Sequence, residues 1–212
     1  MSRLTTTSYA VLGQIALAPG SAYELTKRMR RNYRFFWPRA ESRLYDEARR
    51  LVDAGLATGE RSFTGRRART RYALTAAGRR VLRAWLAEPP AAGWAFQYEP
   101  LLRVFLGNFG THEQLLAAIA QARADADELL AVADAVAADY AAGTAEGQPH
   151  VHVRALVFDF LFHQAEATRA WSERARAEVE GWADPEDPGA HAKAGLARIA
   201  DLAARRAAAQ LP

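Results

Sequence analysis

The sequence predicts a mainly α-helical protein: an N-terminal winged helix-turn-helix with a two-stranded β wing, then an all-α C-terminal domain of long helices. Three observations predict it. Helical apolar spacing dominates both halves, while strand-like alternation is confined to residues 56–74. Turn residues at 89–98 separate the halves. The charge is also divided: residues 1–88 hold 18 Lys/Arg and 7 Asp/Glu, net +11, whereas residues 89–212 hold 10 and 17, net −7. A basic half joined to an acidic one points the first toward a polyanion.

In the basic half, Val11, Leu12, Ile15 and Ala16 make one apolar stripe over Thr6 to Leu17, and Pro19-Gly20 ends that helix. Ser21 and Glu24 have capping-box spacing and open a second helix, with Ala22, Leu25 and Met29 inward among Lys27, Arg28, Arg30, Arg31 and Arg34. Trp37-Pro38 breaks it. Pro38 suits the opening of a third helix from about Arg39 to Asp53, which Gly55 terminates. There Leu44, Ala48, Leu51 and Val52 are the buried stripe. Arg39, Arg43, Asp46 and Arg50 line the exposed one, with Ser42, Tyr45 and Arg49 around it. A helix pair whose second member has an Arg-rich outer face fits a recognition helix. Strands at 56–60 and 70–74 follow, the second placing Thr70, Tyr72 and Leu74 on one face. Gly65 supplies the turn between them, and Arg66, Arg67, Arg69 and Arg71 crowd the tip and rising strand, as a wing aimed at phosphates would require. A fourth helix after Thr75 is expected to bury Val81, Leu82, Trp85 and Leu86.

The runs Ser42-Arg43-Leu44-Tyr45, Leu51-Val52-Asp53-Ala54-Gly55-Leu56 and Gly65 through Arg79 resemble the PadR family of winged-helix transcriptional regulators. Tyr9-Ala10-Val11-Leu12-Gly13 and Ser21-Ala22-Tyr23-Glu24-Leu25 fit the same family, and the resemblance is close over residues 6–88. Ala22 replaces the usual Gly, and Ala48 a common Leu. The resemblance implies that Tyr45, Arg66, Arg67 and Arg69 approach the DNA backbone, that the acidic half is a dimerisation and effector domain, and that binding represses.

Residues 89–98 read as a linker, 99–183 as the helical dimerisation domain and 184–212 as a C-terminal tail, helical in register at Leu196, Ile199, Leu202 and Ala203. A short helix at Glu99–Leu106 carries Leu101, Leu102, Phe105 and Leu106. Thr111 and Gln114 form another capping box, opening a helix to about Tyr140. Its seam, Leu115, Ile119, Ala122, Ala126, Leu129, Ala133, Val136 and Tyr140, alternates spacings of four and three like a coiled coil. The next helix, Val151 to Gly181, is apolar nearly all round from Ala155 to Phe162 and should be covered on more than one side. An antiparallel pair covers one side and a second subunit covers the rest. Leu115, Ile119, Leu129, Val136, Leu156, Phe158, Phe160, Phe162 and His163 are thus the candidate dimerisation residues, with Val153, Leu156, Phe160, His163 and Ala167 taken as an inward register. Trp85, Trp94, Phe96, Tyr98 and Trp171 are candidates for lining an effector pocket; plain core packing competes with that reading.

Other function classes lack a constellation. His150 and His152 are two apart and do not share a helix face, so no metal is expected. No Gly-rich phosphate loop or serine nucleophile motif is present, and no cofactor or catalysis is expected. There is no cysteine, no signal-peptide core at the N-terminus and no apolar run of membrane-spanning length. The expected partners are double-stranded DNA, a second copy of the chain and a small-molecule effector, in the cytoplasm with no membrane. The competing class is a helical protein-interaction module whose basic half binds an acidic protein.

Overall fold

Three helices of the first half start where a short polar side chain can replace the missing backbone acceptor. Thr5 accepts from the Ser8 amide and Ser8 returns a bond to the Thr5 N–H, opening α1 (Thr6–Leu17). Ser21 and Glu24 do the same for α2 (Ala22–Tyr33). Thr75 caps α4 (Ala76–Ala87) through the Gly78 amide. The computed structural model describes residues 4–38, 40–64, 67–90, 93, 96–182 and 189–208. The chain forms two units, Met1–Trp94 and Ala95–Pro212.

In the first unit α2 stops at Tyr33, and a turn closed by the Trp37 amide on the Tyr33 carbonyl (2.7 Å) leads toward α3 (Glu41–Asp53). That helix starts later than its sequence suggests, because Ala40 is still extended (φ −61°, ψ 135°); Pro38 precedes the helix rather than opening it. Gly55, at φ 71°, ends α3 in the left-handed conformation that glycine tolerates best. Strands β2 (Ala57–Thr64) and β3 (Arg67–Leu74) pair antiparallel, each longer than its apolar alternation indicates. Apart from the Phe63–Ala68 pair their outer halves are polar, so the hydrogen-bond ladder continues where the apolar alternation stops. Gly20 and Ser21 add a short strand, β1, to the far side of β3. The sheet therefore has three strands in the order β1-β3-β2, one more than the expected pair. A two-residue strand has no alternation to read.

Leu12, Ile15, Leu51 and Ala48 lie at the centre of the core, joined by Leu25, Met29, Leu44, Leu56 and Tyr72. Gly78 fits against this layer only because it lacks a side chain: a Cβ there would lie 2.0 Å from the Leu56 carbonyl oxygen. Of the residues expected to be buried on α4, Val81, Leu82 and Trp85 are half-buried, and Leu86 is exposed. Tyr9 stacks on Trp85 (4.7 Å) and leaves Leu86 outside that contact.

The second unit is an antiparallel pair, α6 (His112–Ala141) and α7 (Val151–Val179), with α5 (Glu99–Phe105) on α6 and α8 (Gly189–Ala208) after the pair. The start of α6 is tied to the end of α7 by His112 Nε2 and the Val179 carbonyl (2.6 Å). Arg123–Glu173 (2.9 Å) and Arg169–Asp127 (3.4 Å) bridge the same helices farther along. Ala122, Ala126 and Ala133 on α6 and Ala165 and Ser172 on α7 are buried, small side chains that let the helices approach closely. The α6 seam is thus occupied by its own chain. Leu115 and Ile119, expected to serve dimerisation, are buried in a cluster with Val179 and have no side-chain surface to offer a second copy. Leu129 and Val136 are half-buried.

On α7 the register of Val153, Leu156, Phe160, His163 and Ala167 faces outward, the reverse of the expectation. Phe158 and Phe162, stacked at 6.2 Å, are half-buried instead. Apolar residues occupy both faces of this segment, so periodicity could not select one; the small residues farther along decide it. Among the described residues no helix is long and apolar enough to cross a membrane, and no three His or carboxylate side chains gather as metal ligands.

Candidate nucleic-acid interface

Burial of Leu44, Ala48 and Leu51 fixes the rotation of α3 about its axis. The opposite face then presents Arg43, Asp46 and Arg49, all exposed, with Tyr45 half-buried beside them. Arg50, which helical spacing puts on that outer stripe, departs from it. It is half-buried, and its Nη1 donates to Glu47 Oε2 at 3.0 Å. Glu47 is a residue the sequence reading passed over. It is 7% exposed and occupies the inward register of Leu44, Ala48 and Leu51, the signal that could have identified it. Arg50 thus neutralises a buried carboxylate. Arg39 and Arg66 lie outside the described residues, as do the side chains of Ser42 and Arg67.

The hairpin of β2 and β3 carries its basic residues in fixed register. Arg69 pairs across from Ser62 and Arg71 from Glu60, and both arginines are exposed. Arg61, opposite Thr70, adds an exposed cation that sequence reading did not single out. Phe63, 71% exposed, is an apolar side chain on the same outer arm. Arg71 also faces inward electrostatically. It stands beside Ser21 in the β1–β3 pairing, and its charge helps hold the Glu24 carboxyl below its ordinary range. The larger causes of that depression are the Ser21 amide and hydroxyl, followed by Arg28. Arg28 donates to the Ala18 carbonyl (2.7 Å), so one of the cations around α2 braces the fold.

The candidate effector residues are divided between the two units. Trp85 stacks on Tyr9 in the first unit, and Trp94 lies outside the described residues. In the second unit Phe96 is exposed and tilts against Tyr98 (5.6 Å), while Trp171 is half-buried on α7. The Tyr98 hydroxyl donates to Asp125 (2.8 Å); burial first, then that carboxylate, pushes its pKa upward. His163 Nδ1, on the outward face of α7, donates to the Asp159 carbonyl (2.9 Å), which with the Asp159 charge raises its pKa.

Comparison with known proteins identifies this arrangement. Residues 11–84 match the sequence model of the "Transcriptional regulator PadR-like family". The "Negative transcriptional regulator PadR" of Bacillus subtilis (strain 168) is 30% identical over 79 residues, covering 37% of this chain and 43% of that relative. Bacillus subtilis PadR in complex with operator DNA superimposes with a TM-score of 0.69 at 19% identity, covering 82% of this chain and 99% of that one. Smu.1604c from Streptococcus mutans UA159 gives 0.71 at 19% identity, with 82% and 99% coverage. Bacillus subtilis PadR in complex with p-coumaric acid gives 0.62 at 18%, with 82% and 98%. At these identities the solved structures establish the fold. Residues 11–84, within the winged-helix unit, thus match the PadR-like family of transcriptional regulators.

Proposed function

We propose that this chain is a sequence-specific DNA-binding regulator that grips a palindromic operator as a homodimer and represses transcription. One observation carries the reading. The core fixes α3 so that Arg43, Asp46 and Arg49 face solvent on a helix beside a hairpin bearing Arg61, Arg69 and Arg71. A helix exposing side chains that reach base edges, flanked by cations that reach phosphates, divides specificity from positioning as operator binding requires. Arg43 and Arg49 are the base-reading candidates; Tyr45 and the wing arginines, Arg66 and Arg67 included, are the backbone contacts. The operator complex of the Bacillus subtilis relative supports the DNA partner, and the description of a relative as a negative regulator supports repression.

The homodimer is supported by the outward face of α7, where Leu156 is 71% and Phe160 58% exposed beside Val153 and Val157. Such a patch on a lone subunit is unusual, and two recognition helices suit two half-sites. The p-coumaric acid complex of a relative supports a small-molecule effector here as well. The test is binding to DNA from the chain's own upstream region, followed by anisotropy as salt is raised. Each neutralised phosphate contributes about −0.9 to the log–log slope, so a dimer should show a magnitude of at least about 4. A flat response would refute the DNA assignment.

A further inference from the structure

Two apolar stripes in the second unit are exposed among the described residues. One is the outward face of α7 at Val153, Leu156 and Phe160; the other is Leu196, Ile199 and Leu202 on α8, each more than half exposed. The start of α8 is held at the end of α7, where the His191 ring lies 5.3 Å from Trp182 and Arg198 pairs with Glu178. We propose that α8 is an exchanged arm: in the homodimer inferred above, the Leu196–Ile199–Leu202 stripe of each copy covers the Val153–Leu156–Phe160 stripe of the other.

Length excludes the same contact within one chain. At 1.5 Å per residue, Phe160 lies about 27 Å along α7 from Glu178, whereas Leu202 lies only about 6 Å along α8 from Arg198. An arm anchored at Glu178 therefore falls short of its own stripe, and a second copy brings another within range. The two stripes match in extent, Val153–Phe160 rising about 10 Å and Leu196–Leu202 about 9 Å. Their borders are also complementary. Between Gly189 and Ala208 the arm carries Lys193, Arg198, Arg205 and Arg206 against one carboxylate, Asp201, with Arg198 and Arg205 paired to Glu178 and Asp201 of their own chain, while Asp159, beside His163, and Glu166 border the α7 stripe. An arm paired with its own symmetry mate would instead bring cations together. The inference rests on the homodimer reading.

The natural absence of cysteine allows a clean test. Chains carrying Leu156→Cys and Ile199→Cys are mixed and oxidised; both positions are well exposed, so neither change disturbs the subunit. A disulfide needs Cα atoms within about 7 Å, so it reports only direct apposition. Expected is a crosslinked dimer in the mixture and little in either single variant alone. Rapid self-crosslinking of the Leu156→Cys chain would mean that two α7 faces meet each other and would overturn the arm. An intrachain bond in the doubly substituted chain would overturn it in favour of cover within one copy. As an independent measure, Ile199→Asp in the full chain should weaken dimerisation at least tenfold by sedimentation with helix content unchanged; an unchanged dimer overturns the proposal while leaving the homodimer standing. A wild-type chain that sediments as a monomer at micromolar concentration refutes both.

Discussion

The two units use their hydrophobic residues in opposite ways. The winged-helix unit gathers Leu12, Ile15, Ala48 and Leu51 into one layer with almost no exposure and turns charge outward. The helical unit buries alanines and a serine between two long helices and leaves its large side chains, Leu156, Phe160 and Ile199 among them, at the surface. The first is complete as a single copy and offers a polar face to a polar ligand. The second leaves apolar area that a second copy can cover. Burial and hydrophobicity therefore part company in the acidic half, and mutations should separate them.

The largest expected effect lies in the first core. Leu51→Ala should cost the winged-helix unit about 2–5 kcal/mol, read from chemical denaturation, because Leu51 is fully enclosed. Phe160→Asp makes the contrasting case. The side chain is 58% exposed, so a carboxylate there is solvated in the single subunit; circular dichroism should be unchanged while light scattering shows a monomer. Loss of helix in Phe160→Asp would mean that the outward assignment of this face is wrong.

A smaller effect distinguishes the recognition helix from the wing. Arg43→Ala should relax base preference at a cost of about 1–3 kcal/mol if it reads a guanine. Arg69→Ala should weaken binding to all sequences alike and flatten the salt slope by about 1 for each phosphate left without its cation. Reversed outcomes in a competition assay would interchange the roles.

The smallest effect is at the cap of α2. The Glu24 carboxyl is held below its ordinary value of 4.5 by the Ser21 amide and hydroxyl and by Arg28 and Arg71. A depressed folded pKa stabilises above the unfolded value and is lost as pH falls through the folded one. The melting-temperature deficit of Glu24→Gln should therefore be present at neutral pH and close below pH 4.5. A deficit that persists at low pH would show that shape rather than charge makes the cap.

Legibility in the sequence followed the same division. In the first unit, capping spacing at Ser21 and Glu24, the Gly55 stop and the stripe of Leu44, Ala48 and Leu51 each had one physical solution, and the helices took it. The exposure of Arg43, Asp46, Arg49 and Arg69 was accordingly readable. It was not readable at Arg50, whose Glu47 partner lies one helical turn away on the inward side. In the second unit the helices were legible from Thr111 and the spacing of the seam, but their rotation was not.

Local chemistry thus fixed what depends on neighbours within four residues: helix starts and stops, the position of the hairpin, and the charge carried by each half. Tertiary structure decided what depends on comparing faces of similar hydrophobicity. Ala165 and Ser172 rather than Leu156 and Phe160 face α6, and Gly20-Ser21 joins β3 as a third strand. Close approach of two helices favours small side chains where they meet, and the β1–β3 pairing, Gly20 with Tyr72, joins residues far apart in the chain. Neither condition is written in local periodicity.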